Sequence, residues 1–73
     1  MSNYPAFIEH MVDEQTKLNT NIQSNIDFMR TEKYEQMCLT QRHMLEDQIT
    51  VMKKYSEILF ARIIFEKRLH DAT

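Results

Sequence analysis

The sequence predicts an all-α protein, an antiparallel two-helix hairpin that assembles into a homo-oligomeric helical bundle. Three observations carry this expectation. The chain has no Gly and a single Pro, Pro5, so the common helix breakers are missing from its interior. Apolar residues recur at three- and four-residue spacing through two long stretches separated by a short polar pause. At 73 residues the chain is also too short for a secure core of its own, since such chains bury only ~60% of their unfolded surface. The usual supports are a disulfide, a metal or a partner subunit. Cys38 is the only cysteine and no Cys–His cluster offers a zinc site, so self-association is left.

The first helix is expected from about residue 4 to about residue 29. Asn3 can cap its free N–H groups, and Pro5 suits the first turn, where its missing N–H costs nothing. Glu9, Asp13 and Glu14 sit on the favourable side of the helix dipole. Ile8, Met11, Leu18, Ile22 and Met29 form a heptad seam, with Gln15 and Asn25 filling two gaps and Phe7, Val12 and Ile26 widening the stripe. The Asn- and Thr-rich stretch from Asn19 to Asn25 keeps the helical period, so the break is placed later, at Arg30-Thr31-Glu32-Lys33. Thr31 can cap a new helix there, and a turn over about 30–37 can hold a short extra helical turn at 32–37.

The long helix is expected over about 38–69. Its main seam runs Met37, Gln41, Met44, Gln48, Val51, Tyr55, Ile58, Arg62, Phe65, Leu69, and a flanking row adds Leu45, Ile49, Met52, Leu59 and Ile63. At 1.5 Å per residue this helix spans roughly 48 Å and the first roughly 39 Å. The whole of 1–73 is read as one helical domain. A hairpin buries one side of each helix, yet the segment from Ile58 to Phe65 is apolar nearly all round. Phe60 and Ile64 lie off the main seam, and a helix apolar on all sides must be buried on all sides. The expected oligomer interface is therefore Phe60, Ile64, Ile58 and Phe65; the alternative is that the first helix shifts to cover Phe60 and Ile64. A short turn lets the helices pair within one chain or swap between chains.

Catalytic chemistry finds no footing. His10, His43 and His70 lie far apart without the spacing of a helix-borne metal site. Cys38 and His43 are five residues apart, roughly 140° around a helix at 100° per residue. The acidic residues show no pairing suited to acid–base work, so the expectation is a non-enzymatic protein without metal or cofactor. Five of the six methionines lie at or beside the seams, where thioethers fill irregular gaps. Gln15, Asn25, Gln41 and Gln48 occupy seam positions where polar groups fix register. Arg62 stands on the Tyr55/Ile58/Phe65 face. Buried, it needs a partner such as Glu66, Asp13 or Glu14, within the chain or across subunits. Its functional reading is an anion-binding Arg flanked by Tyr55 and aided by Lys54, a set that can grip a phosphate and stack a base.

Nine basic residues against eleven acidic give a formal charge of −2 and no basic stripe, which argues against DNA as a partner. No apolar run reaches the ~20 residues of a membrane span. Met-Ser-Asn-Tyr-Pro has neither a basic region nor a hydrophobic signal core, so a cytoplasmic protein is expected.

From Phe28 to Ile63 the chain carries Phe28, Tyr34, Met37, Gln41, Met44-Leu45, Gln48 and then Met52-x-x-Tyr55-x-x-Ile58-Leu59-x-x-Arg62-Ile63. This pattern, over about half the chain, resembles a family of small, mostly uncharacterised phage and prophage proteins. The resemblance implies a helical hairpin and a phage or prophage origin, hence the host cytoplasm; it implies no active site. Members of that family often carry Ser or Thr where this chain has Cys38. Size and architecture are also similar to those of phage anti-CBASS cyclic-nucleotide sponges, by analogy alone. The expected function is a phage-type accessory protein that antagonises host immunity by sequestering a signalling nucleotide or binding a defence protein. The alternative is a structural, assembly or small chaperone-like protein.

Overall fold

The computed structural model describes residues 4–73. Helix α1 runs Ala6–Phe28, α2 is the short helix Glu32–Gln36, and α3 is Leu39–Asp71. No strand occurs among the described residues. Helices α1 and α3 pack antiparallel along their length, and the expected hairpin with a short extra helical turn is present.

Each boundary has a local cause. The Pro5 carbonyl accepts from the N–H groups of Ile8 and Glu9, so the proline stands just before the helix instead of inside its first turn. Asn3, the expected cap, lies outside the described residues. At the other end of α1 the Thr31 hydroxyl does two jobs. It donates to the Phe28 carbonyl at 2.6 Å and accepts from the Tyr34 N–H at 3.3 Å. One side chain thus joins the two helices, giving the Phe28 carbonyl a second donor beside the Thr31 N–H and satisfying the free N–H of Tyr34. The start of α3 uses Gln41, whose amide oxygen accepts from the Cys38 N–H at 3.1 Å, the reciprocal half of a capping box. This explains a polar residue at the first seam position of α3 without appeal to register.

The core is one layer deep. From α1, Ile8, Met11 and Ile22 are buried, as the seam predicts; from α3 they are met by Ile49, Leu59 and Ile63. Met11, Leu59 and Ile63 pack together with Val12 beside them. Gln15 and Asn25 fill their seam gaps as expected and reach across to α3: Gln15 donates to the Ser56 carbonyl at 3.4 Å and Asn25 to the Met52 sulfur at 3.8 Å.

The inner face of α3 corrects the sequence reading. What is buried is the flanking row, with Ile49, Leu59 and Ile63 buried and Leu45 and Met52 half-buried, while the main seam turns outward. Met44, Val51, Ile58 and Phe65 are 47–68% exposed. The reason is chemical. The seam includes Gln48 and Arg62, whose polar groups would lose water without gaining partners. The flanking row is aliphatic apart from Ser56, so a small rotation of α3 buries carbon and leaves the guanidinium wet.

The result is long and thin, with extents of 54 × 21 × 14 Å. Its Cα radius of gyration is 16.4 Å, against about 11 Å for a compact domain of this length.

Candidate functional site

Two polar clusters stand out, one at the middle of the hairpin and one at its turn. The middle cluster centres on Tyr55, whose hydroxyl donates to Glu14 of α1 at 2.5 Å. Around this bond lies an open groove of about 470 Å³ between the helices, lined by His10, Asp13, Glu14, Lys17, Leu18, Asn21 and Tyr55. The α1 residues recur at three and four positions because they share one helix face. Hydrogen bonding to the Glu14 carboxylate raises the Tyr55 pKa above the usual 10.0; burial and the carboxylate's charge act the same way, and Arg62 opposes them. The phenol therefore stays a neutral donor through the physiological range.

Among the expected site residues, Tyr55 lines the groove and Arg62 stands near enough to act on it electrostatically. Arg62 is exposed and forms no ion pair with Glu66, Asp13 or Glu14 among the described residues. The salt bridge considered for it within the chain is not formed among the described residues, and Glu14 instead takes Tyr55. Lys54 sits apart, exposed and 3.7 Å from Glu57 on its own helix. The expected interface residues divide. Ile58 and Phe65 belong to the exposed seam, whereas Phe60 is exposed roughly 200° around the helix from Ile58. Ile64 is half-buried.

The turn cluster escaped sequence reasoning. Tyr34, buried, meets Phe28 edge-on with ring centroids 6.2 Å apart, and the Arg42 guanidinium lies 5.9 Å from its centroid. Its hydroxyl donates to Glu46 at 2.9 Å, which raises its pKa. The spacing Arg42–Glu46 places both side chains on one face of α3 and was the available signal. The cluster locks α2 against α3 and is structural.

No group of His, Cys, Asp and Glu among the described residues is arranged to hold a metal ion. No helix among them is long and apolar enough to cross a membrane. No curated protein and no solved structure matches the chain. The family model described as Sequestin matches residues 5–65, spanning all of α1 and α2 and most of α3 with the Tyr55 groove, and the chain belongs to the Sequestin family.

Proposed function

We propose that this protein acts by binding without turnover, sequestering an anionic signalling nucleotide and so antagonising a host defence response. The observation that carries the reading is the groove between α1 and α3. Tyr55, held by Glu14, lines a space of nucleotide scale with Lys17, His10 and Asp13 of the facing helix, and Arg62 lies near enough to Tyr55 to act on it electrostatically. Arg supplies a planar donor fork for phosphate and Tyr a face for a base. The family's name, Sequestin, is consistent with a sequestering role. Phage origin, host cytoplasm and self-association belong to the same proposal.

The test is native mass spectrometry of protein purified gently from cells in which a nucleotide-signalling defence system is active. The expected result is a retained mass of a few hundred daltons that Arg62→Ala abolishes while the assembly persists. Retention unchanged in Arg62→Ala would overturn the assignment of this groove. If no small molecule is retained and phage structural proteins copurify instead, the sequestration reading fails in favour of an assembly role. Copurification of a host defence protein would shift the target from nucleotide to protein.

A further inference from the structure

The chain exposes more surface than its mass warrants. Its accessible area is 5803 Å² at 8.9 kDa, whereas a compact monomer of that mass exposes about 4,800 Å². The excess of about 1,000 Å² is close to the ~800 Å² each partner contributes to a standard interface. The bare surface is also organised. The outward seam of α3 places Met44, Val51, Ile58 and Phe65 at every seventh residue, alternating with Gln41, Gln48, Tyr55, Arg62 and Leu69. These are the d and a positions of a coiled coil sustained over more than four heptads. Helix α1 uses none of them as its main contact, because the buried row of α3 is the adjacent one.

We propose that this seam binds a second copy of the chain, with the two α3 helices antiparallel about a two-fold axis. The axis passes between Tyr55 and Ile58, so that each copy's Tyr55 faces Ile58 of the other. The inference takes the self-association part of the reading above and assigns it a surface, an orientation and a register; it does not depend on the ligand.

Charge selects this arrangement. A parallel, in-register pair would set Arg62 on Arg62 in the middle of an apolar seam, an unpaired like-charge contact. In the antiparallel pair Arg62 lays its stem along Val51 of the second copy and keeps its guanidinium in water at the edge of the seam, as Gln48 keeps its amide beside Phe65, and Leu69 meets Met44. The flanking g positions, Asp47, Lys54, Ala61 and Arg68, then put Asp47 opposite Arg68, twice by symmetry. Sliding one heptad in one direction sets Lys54 against its own copy; sliding in the other sets Lys54 against Arg68. Of these three registers only the central one brings opposite charges together, and it keeps more of the seam paired than the two-heptad slide that would set Asp47 against Lys54.

The pairing also completes the groove. Helix α1 flanks the seam on the Tyr55 side, where Glu14 holds that residue. Both α1 helices therefore fall on the same side of the α3 pair, making a four-helix arrangement. The two Tyr55–Glu14 grooves adjoin across the two-fold axis, with the Tyr55 residues offset by about 4.5 Å along the helix direction at 1.5 Å per residue. A groove open in one chain becomes a compartment shared by two.

The experiment uses ligand-free full-length protein. Sedimentation velocity is expected to give twice the chain mass, or an even multiple, at micromolar concentration. A spin label at His43→Cys in a Cys38→Ser background reads the geometry. The proposed register separates the two sites by 27 residues along the axis, ~40 Å. A one-heptad slip gives ~30 or ~50 Å, and a parallel pair leaves the labels side by side. Val51→Asp should yield helical monomers. Asp47→Arg, a surface change that spares the fold, should weaken the assembly at least tenfold, and adding Arg68→Asp should restore it. A monomeric wild-type protein, a label distance other than ~40 Å, or no rescue by the charge swap overturns the proposal. Because no ligand is present, these outcomes are independent of whether the groove retains a nucleotide.

Discussion

Leu59 and Phe60 are neighbours in sequence with opposite environments, and replacing each by Ala tests the packing of α3 directly. Leu59 is 0% exposed, in the cluster with Met11 and Ile63, whereas Phe60 is 55% exposed. Truncating Leu59 removes about three methylene equivalents at ~0.8 kcal/mol each, roughly 2.4 kcal/mol of transfer free energy. A cavity term adds to this, and buried Leu→Ala changes run to about 2–5 kcal/mol. The core is a single layer between two helices, so the site can partly collapse and the lower half of that range applies, about 3 kcal/mol. For a domain of this size each kcal/mol moves Tm by roughly 4–8 °C, so Leu59→Ala should melt about 12–24 °C below the parent. Phe60→Ala, in a site already half in water, should cost about 1 kcal/mol or less. The assay is circular dichroism at 222 nm, with melts repeated over a hundredfold range of concentration, because a folded state linked to assembly melts higher at higher concentration. If Phe60→Ala lowers Tm more than Leu59→Ala, the assigned rotation of α3 is wrong and the Phe60 side faces the interior of an assembly.

Thr31→Ala should cost about 1 kcal/mol in urea unfolding, while Thr31→Ser should keep most of it, because the shared hydroxyl and not the methyl joins α1 to α2. Gln15→Leu should raise the urea midpoint, since a 3.4 Å bond to Ser56 is exchanged for apolar contact between the helices; a lower midpoint would show that the bond matters more than the area. Tyr4, Tyr34 and Tyr55 each donate to a carboxylate, and all three have raised pKa values. A raised folded pKa contributes stability that is fully present below the unfolded value near 10 and is lost as pH rises through the folded value. Absorbance titration at 295 nm should therefore place the phenolate midpoints above 10, with stability falling in that alkaline window. Midpoints at or below 10 would show that these bonds do not persist in solution.

Much of the fold was legible because helix signals are local. Missing glycine, apolar spacing and the pause at Arg30–Lys33 fixed two long helices and the break between them, and Thr31 was readable as a cap. The rotation of α3 was not legible by the same means. Two adjacent heptad rows are apolar in this helix, and counting carbon does not choose between them. The choice rests on the polar members: Gln41, Gln48 and Arg62 in one row, only Ser56 in the other. Tyr55 and Arg62 were recoverable as a pair because they lie seven residues apart on one face. Their neighbours in α1 were not, since pairing Glu14 with Tyr55 instead of Arg62 depends on the axial offset of two antiparallel helices. No pattern within either helix records that offset.

The hairpin is also fastened at its open end. Tyr4 donates to Asp71 at 3.1 Å, with Lys67 5.2 Å from the centroid of its ring and His70 packed against it at 5.4 Å. Residues 67 apart in sequence are thus neighbours in space, while the opposite end is a compact turn. The chain is accordingly suited to circular permutation. A few residues of linker can join the region of Asp71 to that of Tyr4, and new termini can be opened between Arg30 and Cys38. Such a molecule would keep every contact between α1 and α3 while giving up the Thr31 bridge and the Tyr34 cluster. Its stability would separate what the helix pair contributes from what the turn contributes.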